Sequence, residues 1–348
     1  MFFASDNAGP AHPSVVEALA AANEGYAMGY GNDPITQAVQ EKIREVFEAP
    51  KAMVHLAATG TAANVILLAT LANPWDSIFC TPMSHINMDE CNAPEFYAQA
   101  KLAEVPATNA KMTPEALRAK ILEKGAIGVH SSQRGPVSIT SVTERGTIYS
   151  ISEIKALMEV AREFGLKVHL DGARFANAMV ALGCSPAEMT WKAGVDAVSF
   201  GGTKNGLMGA EACVLFDPTP QQEFEFRRKR GGHLFSKHRY LSAQFEAYLK
   251  DDLWIDLARR ANASAARLLE GLKGCDAVTL PFAPEANMIF FKAERQFHQR
   301  LMGKGAVYYV EDGDVENGPA EGILTGRLVT DWSMTEDGVA AFTEALKS

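Results

Sequence analysis

Apolar residues recur along the first two thirds of the chain in two alternating rhythms. Short continuous runs predict buried strands, and spacings of three and four predict helices with one buried stripe. The alternation is clearest between residues 150 and 200. Ser150 and Glu153 form a capping-box pair, Ile154, Leu157, Met158, Ala161 and Phe164 follow at helical spacing, and Gly165 supplies the stop. Residues 166–170 then read as a strand ending at Asp171-Gly172-Ala173-Arg174. A second strand, 196–200, runs into Gly201-Gly202-Thr203-Lys204-Asn205-Gly206, and residues 212–216 return from it. This is the α/β pattern. Beyond about residue 241 a long helical region, 241–272, is followed by strands near 287–292, 306–311 and 323–330 and a final helix, which predicts a compact α+β module. The expected division is an N-terminal segment and large domain over residues 1–245 and a small C-terminal domain over 246–348.

Composition narrows the class. With 348 residues, 47% hydrophobic and 22% charged, the chain has ample material for a core. Its 33 Lys and Arg against 42 Asp and Glu give a net charge of −9, the opposite field to that of a nucleic-acid binder. The basic run Arg227-Arg228-Lys229-Arg230 reads as a solvated face or an anion contact at a subunit boundary. The longest strongly apolar stretch, 65–72, is too short for a bilayer, and residues 1–6 show no secretory pattern, so neither a membrane nor export is expected. Five cysteines without CxxC spacing fit free thiols in a reducing, cytoplasmic setting, and no HExxH pattern or other metal motif occurs among the eight histidines.

A strand-ending Asp171, Arg174 three residues later and Lys204 in a glycine-rich turn form a specific set of charges at the edge where α/β sheets collect ligands. A pyridoxal phosphate enzyme needs a lysine amine for a Schiff base, a carboxylate to keep the pyridine nitrogen protonated, and an anion site for the phosphate. Lys204 and Asp171 fit the first two roles. Gly60 and Thr61, at the start of an apolar helix, offer backbone N–H groups for the third.

These residues carry a resemblance. Ser5-Asp6-Asn7, the segment 30–34 (YGNDP), Gly60-Thr61-Ala62-Ala63-Asn64, the segment 84–90 (SHINMDE), His130 upstream of Val137-Ser138-Ile139-Thr140, the segment 169–174 (HLDGAR), 199–206 (SFGGTKNG) and 326–330 (GRLVT) make the chain resemble the threonine aldolase family. That family lies within the aspartate-aminotransferase-like, fold-type I group of pyridoxal phosphate enzymes. The resemblance covers nearly the whole chain and implies a large α/β domain with a mainly parallel sheet and a smaller α+β domain. It implies that Lys204 holds the cofactor, Asp171 its ring nitrogen, and Gly60 and Thr61 its phosphate, with His85 over the ring, Arg174 beside it, and Arg230 reaching a phosphate across an interface. Ser5, Arg174 and Arg327 would bind the substrate carboxylate, and Tyr30 would serve the neighbouring subunit's site. Shared sites imply a homodimer at least, and a homotetramer as the expected assembly. His85 and His130 are the candidate bases for a retro-aldol cleavage of an L-β-hydroxy-α-amino acid to glycine and an aldehyde. The rival readings are another reaction of the same scaffold (β-elimination, phenylserine cleavage or transamination) and a non-catalytic metabolite-binding protein.

Overall fold

The computed structural model describes residues 1–125 and 127–347. Seven strands build the central sheet: β1 (Met53–Ala57), β2 (Asp76–Cys80), β3 (Lys101–Glu104), β4 (Gln133–Thr140), β5 (Val168–Gly172), β6 (Ala197–Gly201) and β7 (Glu211–Leu215). Their spatial order is β1-β7-β6-β5-β4-β2-β3. Strand β7 runs antiparallel to both neighbours, and the remaining pairs are parallel. Five of the strands are buried at every residue, as a sheet covered on both faces requires, which is why they read as continuous apolar runs.

The capping box forms as its sequence predicts: Ser150 accepts from Glu153 N–H, the Glu153 side chain returns the bond, and the helix runs Ile151–Glu163. Strand β5 extends two residues past the expected end, because Asp171 and Gly172 continue the ladder with Ser199 and Phe200. The expected helical region 241–272 is two helices, Arg239–Leu249 and Leu253–Lys273. Asp251 and Asp252 separate them in left-handed conformation, with φ of 51° and 56°, a geometry that short polar side chains tolerate best after glycine.

A second sheet, order β8-β10-β9, is antiparallel and consists of β8 (Met288–Glu294), β9 (Tyr309–Val310) and β10 (Ile323–Val329). Along the helix Leu253–Lys273 the main core takes residues as far as Ala258, and a second cluster takes over from Ala265, joined by Phe291, Leu328 and Phe342. The helix Leu253–Lys273 therefore belongs to both. Phe3 lies in the second cluster, and its backbone joins Val307 and Val329, so the first residues are stitched to the C-terminal sheet.

Parallel strands deliver their carboxyl ends to one edge of the sheet. Ala57, Thr140, Asp171 and Gly201 all finish there, and β7, running the other way, starts there at Glu211. The segments that follow these residues make the site.

Candidate active site

A cavity of about 400 Å³ opens at this edge, in the size range of small-molecule pockets. Its wall includes Thr59, Gly60 and Thr61 after β1, His85, Glu144 after β4, Asp171 and Arg174 at the end of β5, Lys204 after β6, and Glu211.

Lys204 projects from the short helical turn Thr203–Asn205, and its amine has no hydrogen-bond partner among the described residues. Burial pushes its pKa below the usual lysine range, Arg174 adds to the effect, and Asp6, Asp171 and Glu211 oppose it. The turn is fixed from β7: Glu211 accepts from Gly202 N–H at 2.8 Å and from the Thr203 hydroxyl at 2.5 Å.

Asp171 is buried. One carboxylate oxygen accepts from Asn64 Nδ2 at 2.9 Å and the other from Ala173 N–H at 3.0 Å. Behind it runs a closed polar network whose proton positions follow from its geometry. The Ser199 hydroxyl donates to Asn64 Oδ1 at 2.7 Å, since that oxygen can only accept. Ser199 must then accept from His169 Nε2–H, 3.0 Å away, leaving His169 Nδ1 to accept from the Ser138 hydroxyl at 3.0 Å. Burial moves the His169 pKa down to about 4, so the imidazole is neutral and this single tautomer is maintained. His169 and Asp171 stand on the same face of β5, two residues apart.

Asn64 also joins Asp171 to the histidine. Its second amide proton goes to Glu90 Oε1 at 2.9 Å, and the same oxygen lies 2.7 Å from His85 Nδ1. Glu90 is fully buried and burial raises its pKa, while its hydrogen bond raises that of His85. His85 Nδ1 therefore carries a proton, and Nε2 is the nitrogen left for the cavity. The His85 backbone N–H donates to Glu144 Oε1 at 2.8 Å.

The helix Gly60–Leu71 supplies the anion site. Thr59 caps it, accepting Ala62 N–H on its hydroxyl and Ala63 N–H on its carbonyl. The N–H groups of Gly60 and Thr61 are left without an acceptor inside the helix. A Cβ built on Gly60 would meet nothing within 4 Å, and both residues line the cavity.

Arg174 lines the cavity, but its Nε and Nη2 donate to Asp6 at 2.6 and 2.9 Å. Burial alone would raise the Asp6 carboxyl, yet Arg174, Lys204 and Asn287 together hold it below the usual carboxylate range. The side-on fork of Arg174 is thus occupied, which modifies the expectation that it clamps a substrate carboxylate. Arg327 is the freer guanidinium. It donates to the Ala4 carbonyl, its Nε is buried without a partner, and burial and then Arg174 push its pKa down. Ser5 follows Ala4 directly and accepts from Asn7 N–H.

Five expected residues do not line this cavity: Ser5 and Arg327, placed above, and Tyr30, Arg230 and His130. Tyr30 is half-exposed beneath Lys229, and Arg230 is exposed at the end of the helix Gln221–Arg230. His130 corrects the expectation of two histidines in one pocket: it is exposed just before the amino end of β4, whereas the cavity lies beyond that strand's carboxyl end. An eight-residue strand is roughly 26 Å long, so His130 stands well away from the cavity of its own chain. Conversely, sequence reading gave no role to Asn64, Glu90, Glu144 or Glu211. Two of them leave a signal, Asn64 as the one amide in an apolar helix and Glu211 as the polar first residue of an apolar strand.

Residues 3–295 match the family described as beta-eliminating lyase. A low specificity L-threonine aldolase of Pseudomonas aeruginosa is 39% identical over 90% of each chain. The chain belongs to this family, among its threonine aldolases. A second such protein, from a Pseudomonas species, is 38% identical over 88% of each chain. A solved threonine aldolase of Leishmania major superposes with a TM-score of 0.92 at 27% identity, over 99% of this chain and 98% of its own. The protein is a fold-type I enzyme, and its cofactor is pyridoxal 5′-phosphate. The cavity fits that group: an unpaired buried amine, a buried carboxylate held by two N–H donors, and two unsatisfied helix-terminal N–H groups beside open space.

The carboxyl of Glu211 is pushed up to about 7, chiefly by burial. A carboxyl whose folded pKa exceeds its unfolded value of 4.5 contributes stability that is full below 4.5 and lost as pH rises through 7. Gln at this position can still accept from Gly202 and donate to Thr203. The melting temperature of the apoprotein is therefore expected to fall relative to that of Glu211→Gln as pH rises from about 5 to about 8. Parallel melting curves would contradict the assignment.

Proposed function

We propose that the protein cleaves L-threonine, L-allo-threonine or related L-β-hydroxy-α-amino acids to glycine and an aldehyde. The names of its relatives support the reaction, and one observation favours it over other reactions of the scaffold. His85 stands at the cavity wall with Nδ1 tied to buried Glu90 and Nε2 available to a hydroxyl.

The residues divide the work by chemistry. Lys204, desolvated, is readily available as the neutral nucleophile that covalent attachment requires. When bound, pyridoxal phosphate supplies an electron sink for negative charge developing at the substrate Cα. Asp171 holds the proton on its ring nitrogen, and Gly60 and Thr61 receive its phosphate. Arg327, with Ser5 and the remaining N–H groups of Arg174, takes the substrate carboxylate, which relieves the repulsion between the two guanidinium groups. His85 orients the β-hydroxyl. Tyr30 and Arg230, exposed on their own chain, serve a neighbouring subunit's cavity in a homotetramer, and the enzyme works in the cytoplasm. No helix among the described residues is long and apolar enough to cross a membrane.

The test is a rate comparison across the four threonine stereoisomers and phenylserine, with aldehyde and glycine measured together. Release of both from the L isomers is expected. Ammonia and a keto acid in their place would overturn the reading in favour of elimination.

A further inference from the structure

Glu144 is the one acidic group of the cavity wall that the reaction as described leaves without a task. It lies just beyond β4, in a turn closed by Gly146 N–H to Thr143 carbonyl and Thr143 N–H to Thr147 carbonyl. The C-terminal module holds that turn in place. Arg145 pairs with Glu311 and lies over the Phe290 ring, and Glu285 N–H donates to the Gly146 carbonyl. Oε1 accepts the His85 backbone N–H, whereas Oε2 is buried and has no hydrogen-bond partner, although the residue itself is only partly buried and lines the cavity. A buried, unpartnered carboxylate oxygen is costly unless something else engages it. Glu90 also has a buried free oxygen, but Glu90 does not line the cavity.

His85 sharpens the point. Its bond to Glu90 ties up Nδ1, leaves Nε2 to the cavity and raises the pKa of the ring, which favours the form in which Nε2 donates a hydrogen bond. A donating Nε2 leaves the hydroxyl proton to another acceptor on the same wall, and Glu144 is there.

We propose that Glu144 Oε2 accepts the β-hydroxyl proton of the substrate while His85 Nε2–H holds the hydroxyl oxygen, an inference that rests on the aldol-cleavage reading above. The O–H bond breaks, an Oε2–H bond forms, and the electron pair stays with the oxygen as the aldehyde carbonyl appears and the Cα–Cβ bond breaks. One proton leaves the hydroxyl and one is gained at the glycine Cα, so the cleavage needs no co-reactant. The Glu144 carboxyl is pushed up to about 7 by burial, with Asp171 adding to the rise and its own backbone N–H, His85 N–H and Thr140 opposing it, which suits a group that takes and returns a proton at neutral pH. Cys80 on β2 and Tyr149 lie close enough to feel the same carboxylate.

The test compares Glu144→Gln and Glu144→Asp with wild type. Gln can still accept the His85 N–H, so a merely structural role survives in it, and only proton uptake is lost. Glu144→Gln is expected to lower kcat for L-threonine by about 100-fold or more with KM changed less than about threefold, and Glu144→Asp to recover part of the rate. Cofactor affinity, read from absorbance, is expected to stay within about threefold in both variants. In the apoprotein, side-chain carboxyl NMR is expected to show two groups titrating near 7, Glu144 and Glu211, of which Glu144→Gln keeps only the second. A Gln variant with near wild-type kcat, or one that keeps both titrations, overturns the assignment. A wild-type enzyme that releases no glycine and aldehyde overturns the aldolase reading instead.

Discussion

Lys204→Ala is expected to abolish measurable turnover, a loss of about a thousandfold or more, and to leave the protein as stable as before or more so. The two halves of that expectation come from the same geometry. The amine is the single lysine on the cavity wall, so no neighbour can replace it as the nucleophile. It also makes no hydrogen bond among the described residues, and burial depresses its pKa, so the fold gains nothing from its side chain. In the pH range between its folded and unfolded pKa values the unfolded chain binds the extra proton, and stability rises with pH there; removing the side chain removes that slope. Aldehyde release measures the first half and thermal melting at two pH values the second. Borohydride treatment of the wild type is expected to fix the cofactor to Lys204, and the variant is expected not to be labelled. Turnover within tenfold of wild type would refute the assignment of Lys204.

Much of this site was legible because its parts are local. The strand that ends at Asp171, the helix capped by Ser150 and the turn that carries Lys204 are each specified within a few residues, by apolar runs, a capping pair and glycines. What stayed hidden is what depends on register between distant segments. Asn64 touches Asp171, Glu90 and Ser199 only because the parallel order of β4, β5 and β6 sets those ends side by side under one helix. Glu144 acquires its surroundings from His85, 59 positions earlier in sequence. Arg174 looked available until Asp6, 168 positions away, was seen to hold it. His130 is parted from the cavity of its own chain for the converse reason: it is near the strand in sequence but at its other end in space. The break at Asp251 and Asp252 is the local feature most easily overlooked, since apolar periodicity continues on both sides of it.

The second large effect concerns charge rather than attachment. Asp171→Asn keeps the shape of the side chain, but where two oxygens accept, one from Asn64 and one from Ala173, only one is left. The amide nitrogen would point a donor at one of those N–H groups or at the pyridine nitrogen, and it carries no negative charge to hold that nitrogen protonated. The cofactor can still attach through Lys204 and still be held at Gly60 and Thr61, but its capacity to withdraw electrons falls. A loss in kcat on the order of 100-fold to 10,000-fold is expected, with cofactor binding weakened far less. Asp171→Glu retains the charge but must displace Asn64 and, through it, the bond to Glu90, so it is expected to be partly active. The ranking wild type, then Glu, then Asn, measured by aldehyde release at saturating cofactor, separates charge from shape. An Asn variant as fast as the Glu variant would show that the carboxylate only positions the ring, and the electrostatic account of this network would then be wrong.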